Sequence, residues 1–292
     1  KFDGGIGSIA AAAARGKMPH RSYFMKKTVF LAAALIALAT AAAFAQTEAD
    51  FDTQNSADGK SVTVTDYKGT ATTVNIPARI RNMPVTVIGD SSFAGLDKIT
   101  SVTIPAGVTY IGVGAFQDCK SLVSVNIPNT VTSVGPSAFR GCAKLTSVNI
   151  PNSVTSIGME AFYNCANLVS VTLSNNMVYL TNGVFQGCTK LNNITIPANI
   201  QWIQERVFYN CSGLTSITIP ASVTEVGGNA FRGCTGLTSV TFSGGLAMSR
   251  FSSTAFNGLG DIRDKFYAAN AANGTPGRYM RSSGTATVWA KQ

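Results

Sequence analysis

"AFQDCKSLVSVNIPNTVTSVGPS", residues 115 to 137, carries one cysteine, Cys119. Equivalents return at Cys142, Cys165, Cys188, Cys211 and Cys234, each 23 residues after the last. The phenylalanines behave alike: Phe93, Phe116, Phe139, Phe162, Phe185, Phe208 and Phe231 are spaced by 23, and Phe256 follows after 25. A fixed period of this length marks a stacked-repeat architecture. Within each unit the same offsets stay apolar. After Phe116 come Cys119, Leu122, Val125, Ile127, Val131 and Val134, and Ala138 precedes the next phenylalanine.

One such unit cannot bury its apolar face alone, so units stack and share a continuous core. In "LVSVNIP", Val125 and Ile127 alternate with Ser124 and Asn126, the period-two pattern of a half-buried strand. Pro105, Pro128, Pro151, Pro197 and Pro220 then end the strand where a missing N–H does least harm. A second short extended piece covers Val131 to Val134. In "GPSAFRGCAKL", residues 135 to 145, Gly135 as breaker, Pro136 as first helical residue and Ser137 as cap predict one or two helical turns. The expected fold is an α/β repeat: a solenoid of 23-residue units with stacked parallel short strands, short helical turns and terminal caps.

These residues resemble the BspA-like, or Treponema-type, leucine-rich repeats of bacterial surface proteins. The match to "AFxxCxxLxSVxIPxxVTxIG" runs from about residue 60 to 250. The stretch from Ser61 to Phe93 looks like a first unit with an insertion around Met83 and Pro84, and the tail from Ile262 looks like that of spirochaete members. The resemblance implies a leucine-rich-repeat solenoid that is secreted or surface-attached and binds proteins, some relatives being adhesins. It does not name a partner.

Destination is read independently from "MKKTVFLAAALIALATAAAFAQ", residues 25 to 46. Lys26 and Lys27 make a basic start, Val29 to Ala41 an apolar run, and Ala43-Phe44-Ala45 a small-x-small cleavage site before Gln46. The run is alanine-rich and shorter than the ~20 residues a spanning helix needs, so a cleaved signal peptide is expected rather than an anchor. No cysteine follows the site to take a lipid. Export to the periplasm, cell surface or medium follows. The domain reading is a non-native upstream extension at 1–24, a signal peptide at 25–45, a polar leader at 46–59, a solenoid with its N-terminal cap unit at 60–254, and a C-terminal cap at 255–292.

Processing changes the charge argument. The whole chain carries 23 basic and 14 acidic residues; the part before Gln46 holds six and one of these, leaving 17 against 13 and a net charge of +4. The remaining basic residues, such as Lys120, Arg140, Lys190 and Arg206, fall at scattered offsets and make no stripe for nucleic acid.

Six cysteines in an exported chain would ordinarily predict disulfides. Stacking argues otherwise, because parallel rungs put the Cβ vectors side by side, a poor start for disulfide geometry. Leu96 and Leu259 fill the same slot in the terminal units, so Cys119, Cys142, Cys165, Cys188, Cys211 and Cys234 are expected as a buried structural ladder. One sulfur per rung and no neighbouring histidine gives no metal site, and no cofactor is expected.

The one histidine, His20, precedes the signal segment, which excludes triads that need a histidine base. The acidic residues show no recurrent pairing of the glycosidase kind. No enzyme is therefore expected, and recognition falls to residues that vary between core positions. Along the main strand the outward row is nearly uniform: Ser101, Ser124, Ser147, Ser170, Asn193, Ser216 and Ser239. A second row, seventeen after each phenylalanine, reads Tyr110, Ser133, Ser156, Tyr179, Trp202 and Glu225. Tyr163 and Tyr209 directly follow their phenylalanines. Exposed aromatics anchor protein interfaces, so Tyr110, Tyr163, Tyr179, Trp202 and Tyr209 are the candidate partner-binding residues. The same units lose repeat signatures: Ser174 replaces the proline, and Thr181 and Gln204 replace the glycine. The expected function is non-catalytic, adhesin-like protein binding. The alternatives are a self-assembling envelope component or, requiring an aromatic platform beside a groove, a carbohydrate-binding protein.

Overall fold

The alternation that predicts strands is realised as two parallel ladders running along the stack, in a computed structural model that describes residues 46–292. The upstream extension, the signal segment and His20 lie outside the described residues. The first ladder takes the "SVNI" stretch of each unit, pairing Ser101–Thr103 with Ser124–Asn126, Ser147–Asn149 with Ser170–Thr172, and Ser216–Ile219 with Ser239–Phe242. The second takes the two-residue pieces Tyr110–Ile111, Ser133–Val134, Ser156–Ile157, Tyr179–Leu180, Trp202–Ile203 and Glu225–Val226. Where regular rungs pair, each residue meets its equivalent 23 positions away, as Ser133 does Ser156; the first ladder divides into three sheets and the second into two. Identical units brought into register put identical side chains above one another, so the core is a set of columns. Each marker phenylalanine from Phe93 to Phe256 is buried, and ring centroids from Phe51 through Tyr67 to Phe256 follow one another at 4.6–5.9 Å.

The third side of each rung turns without becoming a helix. Cys119 N bonds back to Phe116 O, and Leu122 N to Cys119 O, each closing one tight turn. The residues between reach the next rung instead: Gly114 N to Pro136 O, Phe116 N to Ala138 O, and Asp118 N to Arg140 O. A helix would satisfy all these donors internally and leave the stack unjoined. The alternation needs left-handed backbone two residues before and two after the phenylalanine, so Ser137 has φ 55° and Gly141 φ 72°. Ser137 is thus a turn residue and not the helix cap its sequence neighbours predict. Gly135 and Gly158 serve close approach: a Cβ would stand 2.7 Å from Gly112 C and 2.2 Å from Pro136 N of the preceding rung.

The residues read as a polar leader belong to the N-terminal cap. β1 (Phe51–Asn55) pairs antiparallel with β2 (Val62–Tyr67), because Phe51 buries itself against the Tyr67 ring at 5.1 Å. β3 (Thr73–Asn75) opens the first ladder. The insertion around Met83 is a hairpin: β4 (Arg79–Ile80) pairs with β5 (Met83–Ile88) across Arg81 and Asn82, both at positive φ. That double positive φ fits a type I′ turn.

At the other end Ser239–Phe242 pairs antiparallel with Gly277–Met280, which pairs with Ala290–Lys291. Helix α1 (Ile262–Tyr267) carries Lys265 where earlier units place a strand valine or isoleucine. The Arg281 guanidinium is buried here without a carboxylate. It donates to the carbonyls of Leu237 (2.6 Å), Ala286 (2.8 Å), Thr235 (3.2 Å) and Leu259 (3.3 Å), and lies 5.1 Å from the Trp289 ring centroid.

Candidate functional site

The second ladder is interrupted once. One sheet ends at Ser156–Ile157 and the next begins at Tyr179–Leu180. At that step Thr181 stands in the glycine column, where Gly158 leaves no room for a Cβ, and the Thr181 hydroxyl bonds Gly158 O at 3.1 Å. The sequence departures and the break in pairing therefore coincide.

Tyr179 and Trp202 sit just past this break, on paired strands. Their rings stack at 6.2 Å with 22° between planes, and Trp202 is 41% exposed. Glu225 continues the column and reaches Arg250 at 3.7 Å. Beside the aromatic pair lies an open depression of about 640 Å³ lined by Asn176, Val178, Ala198, Asn199, Gln201, Ser222 and Thr224. Val178, Gln201 and Thr224 immediately precede Tyr179, Trp202 and Glu225, so pair and depression are made by the same three rungs. Asn176 Nδ2 bonds Asn152 O (2.7 Å) and Asn199 Nδ2 bonds Asn175 O (2.6 Å), which fixes both amides in place along the wall. A smaller, more enclosed hollow of about 400 Å³ lies over Ser170, Thr172, Asn175, Thr195 and Pro197 on the first ladder, beside the buried Ser174 that replaces the proline.

The other candidates are not gathered here. Tyr110 shares the column of Tyr179, but the Ser133 and Ser156 rungs intervene, their hydroxyls bonded at 2.9 Å. At about 4.8 Å per rung the two tyrosines are roughly 14 Å apart. Burial, helped by the nearby Asp90, pushes the Tyr110 phenol above its ordinary value. Tyr163 and Tyr209 lie in a separate column, two rungs apart with Gln186 between them. The Arg140 guanidinium stands 4.3 Å from the Tyr163 centroid and is ion-paired to Glu160; Arg232 stands 5.8 Å from Tyr209. The signal for these arginines was present in the sequence, since Arg140 precedes Tyr163 by 23 and Arg232 follows Tyr209 by 23.

All six cysteines are buried and free. Each also makes a bond that sequence reasoning missed. The thiol donates to the carbonyl of the marker phenylalanine one rung earlier, from Cys119 to Phe93 at 3.0 Å through Cys234 to Phe208 at 3.0 Å. Burial pushes the Cys119, Cys188 and Cys234 thiols up to about 12, and the other three upward as well. Such thiols are protonated and unreactive at neutral pH.

Comparison with known proteins agrees with this architecture. No curated protein matches the chain. Among solved structures, the leucine-rich repeat protein TpLRR of T. pallidum is similar with a TM-score of 0.62 and 25% identity, over 66% of this chain and 90% of that one. A leucine-rich repeat protein of Bacteroides ovatus is similar with a TM-score of 0.54 and 27% identity, over 75% of this chain and 63% of that one. The family model described as BspA type leucine rich repeat region matches in six copies, over residues 86–214 and 155–270. With repeat period, ladder register and family model in agreement, the chain belongs to the BspA-type leucine-rich-repeat family.

Proposed function

We propose that this protein is exported and acts at or beyond the cell envelope as a non-catalytic scaffold that binds a protein partner around Tyr179 and Trp202. The observation that carries the proposal is the stacked aromatic pair, Trp202 exposed and Tyr179 half-buried, set where the second ladder breaks. On the two rungs before the break Ser133 and Ser156 keep the surface flat, so the pair is a local protrusion on paired strands. Large aromatic rings bury much area for few rotors, which favours them as anchors. Tyr110, Tyr163 and Tyr209 are assigned as outlying contacts, the last two with arginines beside them. Membership of a leucine-rich-repeat family supports an interaction role, and among the described residues no helix is long and apolar enough to cross a membrane.

The test is capture from envelope and host-matrix extracts by residues 46–292, comparing wild type with Trp202→Ala and Tyr179→Ala. A lost anchor is worth about 2 kcal/mol or more, some thirtyfold in affinity. Unchanged affinity of every captured protein for Trp202→Ala overturns the site. N-terminal sequencing of the protein released by its host tests export, with Gln46 the expected first residue.

A second reading is favoured by the lining of the depression. Amides and hydroxyls beside an aromatic pair are the chemistry that holds a neutral glycan. Retention of a glycan by wild type and not by Gln201→Ala supports it.

A further inference from the structure

β3 is the terminal strand of its sheet. Its inward bonds go to the next rung, Thr100 N to Thr72 O and Ile76 N to Thr103 O. Alternation along a parallel strand then turns Thr73 O and Asn75 N outward, where a strand edge is open to pairing. One side chain takes both groups. The Gln46 carboxamide donates from Nε2 to Thr73 O, and its Oε1 accepts from Asn75 N at 2.5 Å. A primary amide offers the same donor and acceptor as a peptide group, so Gln46 imitates one residue of a covering strand.

Gln46 is also the residue that follows Ala43-Phe44-Ala45. We infer that Gln46 is a latent modification site: freed at its amino terminus it can cyclise to pyroglutamate, and docking on β3 holds it back. This rests on the export reading, since the peptide bond to Ala45 must first be hydrolysed to release the amine. In the cyclisation the α-amino nitrogen attacks Cδ, a N–Cδ bond forms, the Cδ–Nε2 bond breaks, and Nε2 leaves as ammonia after proton transfer from the amine. No oxidant or reductant takes part. The reaction needs the side chain curled back over its own backbone. Docked, the side chain instead extends to residues 27 and 29 positions away, and the departing Nε2 is the atom bonded to Thr73 O. Two hydrogen bonds must open before ring closure. While they hold, the mature chain keeps a free α-amino group, cationic at neutral pH, beside the β3 edge.

Residues 46–292 are released from a fusion by a site-specific protease that leaves Gln46 first, and loss of ammonia is followed by intact mass in buffer and in urea. The native chain is expected to cyclise at least about tenfold more slowly than the unfolded one, the cost of opening two ordinary hydrogen bonds. Asn75→Pro removes only the outward N–H, at an edge position where proline is tolerated, and is expected to approach the unfolded rate. Equal native and unfolded rates overturn the inference, as does a folded Asn75→Pro chain that cyclises no faster than wild type. If Asn75→Pro does not fold, the native-to-unfolded ratio decides alone. Sequencing of the naturally released protein separates the two readings: a start elsewhere than Gln46 overturns cleavage before Gln46 and leaves the measured rates standing, whereas a ratio near one overturns docking control whatever the start.

Discussion

Cys165 Sγ donates to Phe139 O at 3.2 Å, joining the thiol of one rung to the backbone of the rung before it. The same carbonyl accepts from Cys142 N at 3.2 Å within its own rung, so the thiol is its second donor. The cysteine column therefore fills space and also gives six phenylalanine carbonyls, from Phe93 to Phe208, a donor from the next rung. Replacing Cys165 by valine keeps the volume and removes one of the carbonyl's two donors, which should cost about 0.5–1.5 kcal/mol. Serine retains a donor and should lose less. Urea midpoints of the two variants at constant slope check the order; valine equal to wild type would show the bond to be inert.

The same column makes stability sensitive to alkali. Folded thiols are raised to about 12 at Cys119, Cys188 and Cys234, above the ordinary thiol value. A raised folded value means that the native state holds its protons longer than the unfolded one. The stability so gained is whole below the unfolded value near 8.5 and is lost as pH rises from there towards 12. Each such thiol contributes a slope of about 1.4 kcal/mol per pH unit in that window. Thermal melts from pH 7 to 11 should show Tm falling only above about pH 8.5, and native thiols should stay unlabelled by iodoacetamide below it.

Arg206 stands at φ 56°, in a left-handed slot that Gly183 fills one rung earlier at φ 60°. A side chain there costs roughly 1–2 kcal/mol, offset in part by the lower backbone entropy lost on folding. Its ion pair with Glu205 is exposed at 3.6 Å and contributes little. Arg206→Gly should therefore stabilise the fold by about 0.5–1 kcal/mol. A lower urea midpoint for the variant would refute this.

Arg281 fastens the C-terminal cap through carbonyls alone. Arg281→Met keeps the apolar stem and leaves Leu237 O, Thr235 O and Ala286 O without their donor. A loss of about 3 kcal/mol is expected, together with early proteolysis beyond Leu259 while the central rungs stay protected. Uniform protection along the chain would contradict this.

Sequence made the solenoid legible because the period is rigid and the core offsets hardly vary from Phe93 to Phe256. It did not show the left-handed positions, since their occupants run through Ser91, Gly114, Ser137, Glu160, Gly183, Arg206 and Asn229, which share no chemistry. Backbone demand there is imposed by bonds between rungs, and these leave no signature within one unit. "GPSAF" read as helix for that reason. Asp50 to Gly59 read as a leader because a single Phe51 among polar residues gives no period, yet one ring suffices to extend the aromatic column. At the candidate site, Tyr179 and Trp202 were found as neighbours from spacing alone. The depression beside them was not, because it depends on Asn176, Val178 and Gln201 breaking columns that elsewhere carry threonine or other small residues.

Backbone pairing in this molecule is parcelled into separate sheets, whereas the ring column from Phe51 to Phe256 passes through every rung without a gap. Tension applied lengthwise would thus be borne unevenly across the Ile157–Leu180 step: by the first ladder and by turn bonds such as Phe162 N to Val184 O, with no strand pairing from the second ladder. Load would pass down the other two sides of that step, and the Tyr179–Trp202 pair stands beside the unpaired one.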